Sequence, residues 1–188
     1  MSLPHTLLGL LKYKPNTGYN IKTAFASSIN FFWEVSLPQI YRTLNSMETR
    51  GWLDSDIEHQ DGRPSKKIYR ITPEGDREFA QWLEQAPEAV KPKDELLVKL
   101  FFGGFMDHQT LTGHIKDRRN KAEQFLKSAG EIIPPSVREY ADKADAGQDI
   151  PFWLLTLDLG RRRAQMTIEW CDETLRILEK NNRKKEES

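Results

Sequence analysis

The sequence predicts a mainly α-helical protein with one small β-hairpin. Over much of its 188 residues, apolar side chains recur every three or four positions, which is the period of an amphipathic helix. Between residues 52 and 72 the pattern alternates loosely as in β-strands, and turn residues interrupt it. Two long helical patterns in the second half are separated by prolines and a polar segment. We therefore expect short helices, a hairpin, and then an antiparallel pair of longer helices.

A capped helix is predicted between residues 36 and 51. Ser36 and Gln39 have capping-box spacing, so each side chain can satisfy a backbone N–H at the helix start. Pro38 fits the first turn, where a backbone donor is not needed, and Gly51 ends the helix from the C′ position. The predicted apolar face consists of Leu37, Ile40, Leu44 and Met47. The remaining faces carry Gln39, Arg42, Thr43, Asn45, Ser46 and Arg50.

A hairpin with a basic tip is predicted to follow this helix. Strands at residues 52–58 and 67–72 flank a turn written QDGRPS, so we expect a long loop between them. Between residues 62 and 72 there is no acid, although the chain has 28 basic and 28 acidic side chains. The cations of this stretch are Arg63, Lys66, Lys67 and Arg70. Taken alone they could be a solvated face, but their position after a polar-faced helix predicts phosphate binding despite zero net charge.

Two short helices are predicted before the capped helix. Residues 3–13 form an apolar helix, residues 14–18 a turn, and residues 19–29 a second helix. The core face of the second helix consists of Ile21, Phe25 and Ile29. Three helices followed by a hairpin is the order of a winged helix-turn-helix domain, whose third helix enters the major groove of DNA.

A domain boundary is predicted near residue 86. Thr72 has the side chain and position of a helix cap, and the fourth helix that it begins extends to about residue 85. Pro87 and Pro92 then mark a linker. The sequence therefore predicts a winged helix-turn-helix domain over residues 1–86 and an α-helical dimerisation domain over residues 87–188.

Two heptad-like seams predict the antiparallel helix pair of the second domain. Steps of three and four residues alternate over residues 111–132 and 150–178, and arginine interrupts each seam once. Pro134, Pro135 and the polar segment 138–149 are expected to connect the two helices, with one short helix within the connection as a further possibility. Because such a pair carries more apolar surface than it can bury alone, we expect a homodimer, with a monomeric helical domain as the alternative. The residues expected at the dimer interface are Leu111, Ile115, Phe125, Leu154, Leu157, Ile168, Cys171, Leu175 and Leu178.

The composition argues against several classes of protein. The sequence contains no apolar run of ~18 residues and no leader with a basic region followed by an apolar stretch. The single cysteine, Cys171, cannot form an intramolecular disulfide, so a cytoplasmic location is expected. A small buried thiol is the expected role of Cys171, and a redox role is the alternative. No metal-ligand spacing, phosphate-binding glycine loop or nucleophile motif is present, so we expect no metal, no cofactor and no enzyme activity.

Segments of the first half resemble the PadR family of bacterial transcription regulators. In chain order they are Leu7–Leu11, Gly18–Tyr19, Phe32–Trp33, Ser36–Leu44, Gly51–Leu53, Gly62–Pro64, Lys67–Thr72 and Gly75. The strings QIYRTL and GRPSKKIYRIT are specific, and the resemblance covers about the first eighty residues. The segment Asp94–Gly104 is similar in pattern to the helical C-terminal domain of one branch of the family. The resemblance implies a sequence-specific DNA-binding regulator that a small-molecule effector can release from DNA.

The predicted DNA contacts lie on the third helix and the wing. The full set is Tyr19, Ser36, Pro38, Gln39, Tyr41, Arg42, Thr43, Ser46, Arg63, Lys66 and Lys67. The polar helix side chains are expected at base edges or nearby phosphates, since Gln suits adenine and Arg suits guanine. The tyrosine hydroxyls and the two lysines are expected at phosphates, and Arg63 in a minor groove. Partial burial is the alternative for Tyr41, and an internal salt bridge is favoured for Arg70.

The expected partners are double-stranded DNA with a palindromic operator, a second copy of the chain, and a small-molecule effector. Aromatic side chains are the candidates for an effector pocket between the domains, with ordinary core packing as the alternative. These candidates are Phe32, Trp33, Phe101, Phe105 and Trp153. The expected function is that of a dimeric repressor. The competing function is a winged-helix module that binds only protein, which the polar residues of the third helix argue against.

Overall fold

The computed structural model describes residues 2–28, 33, 35–60, 63–87 and 93–186, with the side chains of residues 26–28, 60, 63, 64 and 184–186 left out. The chain divides into two compact units. The first unit joins residues 1–89 with residues 135–153, and the second joins residues 90–134 with residues 154–188. The segment 135–153, which was expected in the second domain, therefore packs with the first unit. The domain boundary near residue 86 stays a prediction.

The first unit contains four helices around one apolar core. They are α1 (Leu3–Tyr13), α2 (Gly18–Ser28), α3 (Leu37–Thr49) and α4 (Pro73–Glu84). All four were predicted from helical periodicity, and the bounds of α1 are those expected. The most deeply buried side chains of the core are Leu7, Leu8, Leu11, Ile21, Phe25, Ile40, Leu44, Met47, Leu53 and Tyr69. Ile29, which was expected on the core face of α2, lies outside the described residues.

A three-stranded antiparallel sheet completes the first unit. Its strands are β1 (Asn16–Thr17), β2 (Leu53–Gln60) and β3 (Arg63–Ile71), in the spatial order β1-β3-β2. The expectation of a plain turn at residues 14–18 was wrong in part, because β1 pairs with β3 at Ile68 and Tyr69. The expectation of a long hairpin loop was also wrong. Pairing of β2 with β3 continues to Gln60 and Arg63.

Proline in β3 explains why the hairpin was expected to end sooner. Pro64 cannot donate a backbone hydrogen bond, and such residues normally mark turns or strand edges. At this end of β3 only β2 is paired, because β1 reaches no further than Ile68. Among the described strands, this end of β3 is paired on the β2 side alone, so a missing backbone donor that faces the other side costs little.

Two predicted helix ends are confirmed. Gly51 follows the end of α3 with φ of +75°, the left-handed conformation that favours glycine at C′. The Thr72 hydroxyl oxygen accepts a hydrogen bond from the Gly75 N–H at 3.1 Å and starts α4. The same hydroxyl donates to the Gly51 carbonyl oxygen at 2.7 Å, so the end of α3 and the start of α4 are joined.

The second half of the chain is helical, apart from short connections. Its helices are α5 (Glu95–Phe101), α6 (His108–Glu131), α7 (Ile133–Ala144) and α8 (Ile150–Glu186), with 3-10 turns at Gly103–Phe105 and Gly147–Asp149. In the second unit, α6 and α8 run antiparallel as predicted. Arg119 in the middle of α6 contacts Asp172 at 2.5 Å. Ala122, one turn further along α6, packs with Ile168, which is one turn earlier than Asp172 in α8.

Asp94 links the start of α5 to α6. Its carboxylate accepts two hydrogen bonds from the Arg118 guanidinium, each at 2.6 Å, and one from the Leu96 N–H at 3.0 Å. These contacts, with Arg118 first, hold the pKa of Asp94 below its usual value, against the opposing effect of burial. Arg118, which interrupts the predicted seam, is therefore explained by this ion pair.

Asp94→Asn is expected to lower the free energy of unfolding by about 1–2 kcal/mol at pH 7, because it removes a charge-assisted bridge and keeps a helix-capping side chain. The folded pKa of Asp94 lies below the unfolded pKa of about 3.9, so the bridge stabilises the fold above that pH. This stabilisation is lost as the pH falls through the folded pKa. Denaturant titrations of both proteins from pH 7 to pH 2 should show the difference shrinking at the acid end. A pH-independent difference would contradict the prediction.

Cys171 is a free thiol that is fully buried, as expected for a small core side chain. Burial is the main cause that raises the pKa of Cys171, and a buried thiol is a poor nucleophile. Within the described part of the chain, no helix combines the length and apolar character needed to cross a membrane. The described residues also contain no group of three or more His, Cys, Asp or Glu side chains that could hold a metal ion.

Candidate nucleic-acid interface

Helix α3 presents a polar side to solvent because its apolar side is fully buried. Ile40, Leu44 and Met47 are at most 1% exposed and lie in the core of the first unit. The exposed side chains of α3 and its ends are Ser36, Pro38, Gln39, Tyr41, Arg42, Asn45, Ser46, Thr49 and Arg50. A helix of this kind can enter a major groove without uncovering the core.

The cap of α3 occupies one side chain that was expected to contact bases. Oε1 of Gln39 accepts hydrogen bonds from the backbone N–H and from the hydroxyl of Ser36, both at 2.9 Å. A carbonyl oxygen has two lone pairs, so both are in use. Gln39 can then offer DNA only the donors of its amino group. Its predicted contact with a base stays a prediction, as do those of Ser36 and Pro38.

The centre of the solvent side of α3 differs slightly from the predicted set. At about 100° per residue, Arg42, Asn45 and Thr49 lie within about 50° of the line opposite the buried row. Ser46 is exposed beside them. Thr43 is only half-exposed and donates its hydroxyl hydrogen to the Gln39 carbonyl oxygen at 2.8 Å. Thr43 could therefore only accept a hydrogen bond from DNA.

The two tyrosines that were expected at phosphates lie close to the start of α2. Tyr19 is 66% exposed and Tyr41 39% exposed. The ring of Tyr41 packs over Gly18, since a Cβ atom built on this glycine would lie 2.5 Å from Cε1 of Tyr41. Tyr41 is thus partly buried, which was the expected alternative, and its contact with a phosphate stays a prediction.

Lys67 joins the wing to α3, in place of the free phosphate contact that was expected. Its Nζ lies 2.7 Å from Oε2 of Glu48 and 5.0 Å from the centre of the Tyr69 ring. Glu48 also accepts a hydrogen bond from the Ser55 hydroxyl. The hydrogen bonds from Lys67 and then Ser55 lower the pKa of Glu48, and the same Glu48 bond raises the pKa of Lys67. The positive charge of Lys67 is therefore already paired with a carboxylate of the protein.

The other wing cations have different surroundings. Arg70 forms an ion pair with Asp56 across the hairpin, as the sequence favoured. Lys66 is exposed and makes no ion pair with any described residue. The side chain of Arg63 lies outside the described residues, so its predicted minor-groove contact stays a prediction. Of the wing cations whose side chains are described, Lys66 is the one available to a phosphate.

The wing and the polar side of α3 lie next to each other. Two contacts join β3 to α3: the Glu48–Lys67 ion pair and a hydrogen bond from the Tyr69 hydroxyl to Oδ1 of Asn45 at 3.5 Å. Asn45 and Glu48 lie three residues apart, on the edge of the solvent side. The first unit therefore carries one continuous surface that contains the exposed part of α3 and the β2–β3 hairpin. We call this surface the helix–wing face.

The aromatic residues that were expected to line an effector pocket lie in several places. In the first unit, Trp33 packs on Phe25 at 5.9 Å, while Trp153 lies 5.7 Å from both Tyr13 and Tyr140. In the second unit, Phe101 and Phe105 are 81% and 93% exposed. Phe32 lies outside the described residues. Trp33 and Trp153 pack on different aromatic partners, so the described ring contacts do not support the expectation of one aromatic pocket.

A polar cavity of about 500 Å³ lies within the first unit instead. Its walls come from the C-terminal end of α1 and from β1, α2 and α7. They consist of Lys14, Asn16, Asn20, Thr23, Ala24, Ser136, Glu139, Tyr140 and Lys143. Glu139 is paired with Lys143 at 2.5 Å, which leaves the charge of Lys14 in excess. Sequence reasoning missed this cavity because residues more than a hundred positions apart form it and few of them are apolar.

Several residues that were expected at a dimer interface are buried within one chain. Leu111, Ile115, Leu157, Ile168 and Cys171 are each at most 9% exposed. The expectation that these five side chains face a second copy is therefore wrong: the seam they form packs inside a single chain. The half-buried members of the predicted set are Phe125, Leu154, Leu175 and Leu178.

A different apolar stripe of α8 is open to solvent. It consists of Leu155, Leu159, Met166 and Ile177, each at least 50% exposed. At about 100° per residue these positions fall within about 40° of each other, and they lie opposite the side of α8 that is buried in the chain. Helix α8 therefore has two apolar sides, of which one is covered.

Known proteins match the chain over nearly its whole length. The model of the "Transcriptional regulator PadR-like family" matches residues 7–81, and that of the "Virulence activator alpha C-term" family matches residues 92–179. The probable transcriptional regulator Rv1176c of Mycobacterium tuberculosis is 31% identical over 189 residues, covering 95% of this chain and 98% of that protein. This chain belongs to the PadR-like family of transcriptional regulators. The resemblance found in the sequence is confirmed, and the family is one of regulators, not enzymes.

Solved structures share the fold of this PadR-like regulator. The Vibrio cholerae virulence activator AphA has a TM-score of 0.74 at 28% identity, covering 95% of this chain and 98% of AphA. The negative transcriptional regulator PadR of Bacillus subtilis is 25% identical over 182 residues, covering 95% of this chain and 98% of PadR. Structures of that PadR include one with operator DNA, with a TM-score of 0.74, and one with p-coumaric acid. The winged helix-turn-helix fold followed by helices is thereby confirmed.

Proposed function

We propose that this PadR-like regulator is a repressor that binds a palindromic operator as a homodimer, through the helix–wing face of each copy. The observation that carries the proposal is the placement of an exposed polar recognition helix beside a wing to which it is tied by the Glu48–Lys67 ion pair. The operator complex of B. subtilis PadR, a relative with the same fold, supports it. Residues 1–86 are proposed as the DNA-binding domain and residues 87–188 as the dimerisation domain.

In this proposal the contacts divide by chemistry. Arg42 lies at the centre of the solvent side of α3 and suits the O6 and N7 acceptors of guanine. Lys66 at the wing and the hydroxyl of Tyr19 suit phosphates, which fix position without reading sequence. Lys67 acts from within the protein, by holding the wing against α3.

The proposed homodimer uses the open stripe of α8 in place of the seam predicted from the sequence. A stripe opposite the covered side of the same helix is apolar surface that only another molecule can bury. A second copy is the partner that fits, because a self-complementary apolar stripe can form an isologous contact. A palindromic operator also requires two DNA-binding domains. The exposed aromatic side chains of α5 and its following turn, Phe101, Phe102 and Phe105, add apolar surface to the second unit.

The polar cavity of the first unit is the proposed effector site. Its excess positive charge at Lys14 suits a small carboxylate, and its walls join elements of the DNA-binding region to α7 from the second half of the chain. A ligand there that favours one placement of α7 would shift DNA affinity by its differential binding. Titration with p-coumaric acid as the first probe, with wild type and Lys14→Ala compared, tests this site.

Selection of bound fragments from genomic DNA with the purified full chain tests the proposed function. Enrichment of a palindromic motif supports both sequence-specific binding by the helix–wing face and the homodimer. If no motif is enriched and the protein binds all duplexes equally or not at all, sequence-specific repression is overturned. Repression itself is tested by a reporter placed behind an enriched site, whose output should fall when the regulator is present.

Lys66→Ala is expected to weaken binding to every duplex to a similar extent, because a phosphate contact carries no sequence information. The slope of log affinity against log salt concentration should fall by about one unit. Fluorescence anisotropy with one operator and one unrelated duplex, at four or more salt concentrations, measures both effects. Lys127→Ala, which removes an exposed cation of α6 instead, is the matched control and should leave the slope unchanged. An unchanged slope for Lys66→Ala would remove this residue from the interface.

A further inference from the structure

We propose that Asn45 reads an adenine base in the operator and that Tyr69 of the wing holds its carboxamide in the orientation this requires. The inference rests on the proposed DNA-binding function and names a specificity residue that the sequence analysis did not select. Asn45 is exposed and lies on the solvent side of α3, at its edge towards the wing and three residues after Arg42. From that position its side chain can reach the base edges of a major groove that α3 enters.

The anchor of this arrangement is Tyr69, which is only 2% exposed. Its backbone lies in the central strand of the sheet, paired with Asn16 on one side and Ser55 on the other. Its hydroxyl reaches Oδ1 of Asn45 at 3.5 Å. A rigid buried ring thus carries a single polar group to the edge of the recognition helix.

The Tyr69 hydroxyl sets the orientation of the Asn45 amide. It donates to Oδ1 of Asn45, so the carbonyl oxygen of the amide lies beside the hydroxyl. Lys67 lies against the same ring, with its Nζ 5.0 Å from the ring centre and 2.7 Å from Oε2 of Glu48. The ring is therefore held between its strand and a cation that is itself tied to α3. The amino group of Asn45 keeps two hydrogens to donate.

The hydrogen-bond donors and acceptor that Asn45 has left are complementary to those of adenine. Its carbonyl oxygen has a second lone pair after accepting from Tyr69, and its amino group has two hydrogens to donate. In the major groove adenine offers a donor at N6 and an acceptor at N7, which is the pattern that a carboxamide contacts with both ends. The same pattern cannot be met by Gln39, because both lone pairs of its Oε1 accept from Ser36. Adenine recognition therefore moves from the residue expected in the sequence to Asn45.

Selection from a randomised duplex pool with the full-length protein tests this assignment. Wild type should enrich an adenine at one position of each half-site. Asn45→Ala should lower the preference for adenine at that position about tenfold and leave the rest of the motif intact. Lys66→Ala is the comparison, since it should weaken binding without changing the preference at any position. An Asn45→Ala motif identical to that of wild type overturns the inference and leaves the proposed function standing, whereas a wild type that enriches no motif overturns both.

Tyr69→Phe separates a positioning role from a merely structural one. The change removes only the hydroxyl, so it should relax the adenine preference at the same single position, by less than Asn45→Ala does. In the Asn45→Ala background it should have no further effect on that preference, because its action passes through the amide. A Tyr69→Phe protein that keeps the full adenine preference, or loses preference equally at every position, overturns the role of Tyr69.

Discussion

Replacing Gly75 with alanine is expected to destabilise the first unit by about 3 kcal/mol, the upper part of the range for overpacking in a core. A Cβ atom at this position would lie 2.2 Å from the carbonyl oxygen of Trp52 and 3.0 Å from its carbonyl carbon. Backbone atoms cannot rotate away as a flexible side chain can. The same carbonyl oxygen also accepts the Thr72 N–H at 3.1 Å, so a shift that relieves the contact breaks the junction between the wing and α4.

Denaturant titration of the full chain measures this effect, with a fall in the midpoint and little change in slope expected. Gly113→Ala is the matched control, because a Cβ at Gly113 meets nothing within 4 Å and the residue lies inside α6. That change should raise stability by roughly 0.5–1 kcal/mol, since alanine loses less backbone freedom than glycine in a helix. Equal midpoints for Gly75→Ala and wild type would show that Trp52 and α4 are not packed as described.

Sequence periodicity was sufficient for the local elements of the fold. The apolar row of α3 fixes which side is buried, and Thr72 and Gly51 mark helix ends by their own chemistry, so these elements were predicted correctly. Features that depend on residues distant in the sequence were not predicted. β1 is only two residues long and exists through its pairing with β3, and the packing of residues 135–153 on the first unit leaves no local pattern.

The same distinction applies to the candidate site. The polar side of α3 and the basic hairpin were visible as patterns, but a cation in the sequence does not show whether an acid lies beside it. Glu48 belongs to α3 and lies 19 positions before Lys67, and no spacing rule connects a helix residue to a strand residue. The sequence therefore made the wing look more strongly cationic than it is. It also did not distinguish the amide of Asn45, which contacts Tyr69, from other exposed polar side chains.

Heptad spacing also gave an ambiguous answer in the second half. The seam through Leu157, Ala164, Ile168 and Cys171 was recognised correctly as apolar, yet periodicity cannot say whether such a seam meets the same chain or another copy. In the structure it packs within one chain. The opposite stripe was hidden because Arg162 and Glu173 interrupt it, so its apolar positions do not form an unbroken heptad pattern.

Leu155→Glu combined with Leu159→Glu is expected to convert the proposed homodimer to a monomer. These side chains are 67% and 50% exposed in a single chain, so the change costs little in the folding of one copy. In a dimer that buries the stripe, four added carboxylates would be brought together, while Arg162 of each copy is already paired with Asp158. Removing these carboxylates from water would cost several kcal/mol. Light scattering after size exclusion should give twice 21.9 kDa for wild type and about 21.9 kDa for the variant.

Loss of the dimer should also lower operator affinity, by about a hundredfold or more. Two monomers must then bind the two half-sites as separate molecules, and the second one no longer gains from being linked to the first. Affinity for an isolated half-site should stay the same, which distinguishes this result from damage to α3. Gln165→Glu adds a carboxylate to an exposed position of α8 outside the stripe, and it should leave mass and affinity unchanged. A double variant that keeps the dimer mass would contradict the proposed use of this stripe.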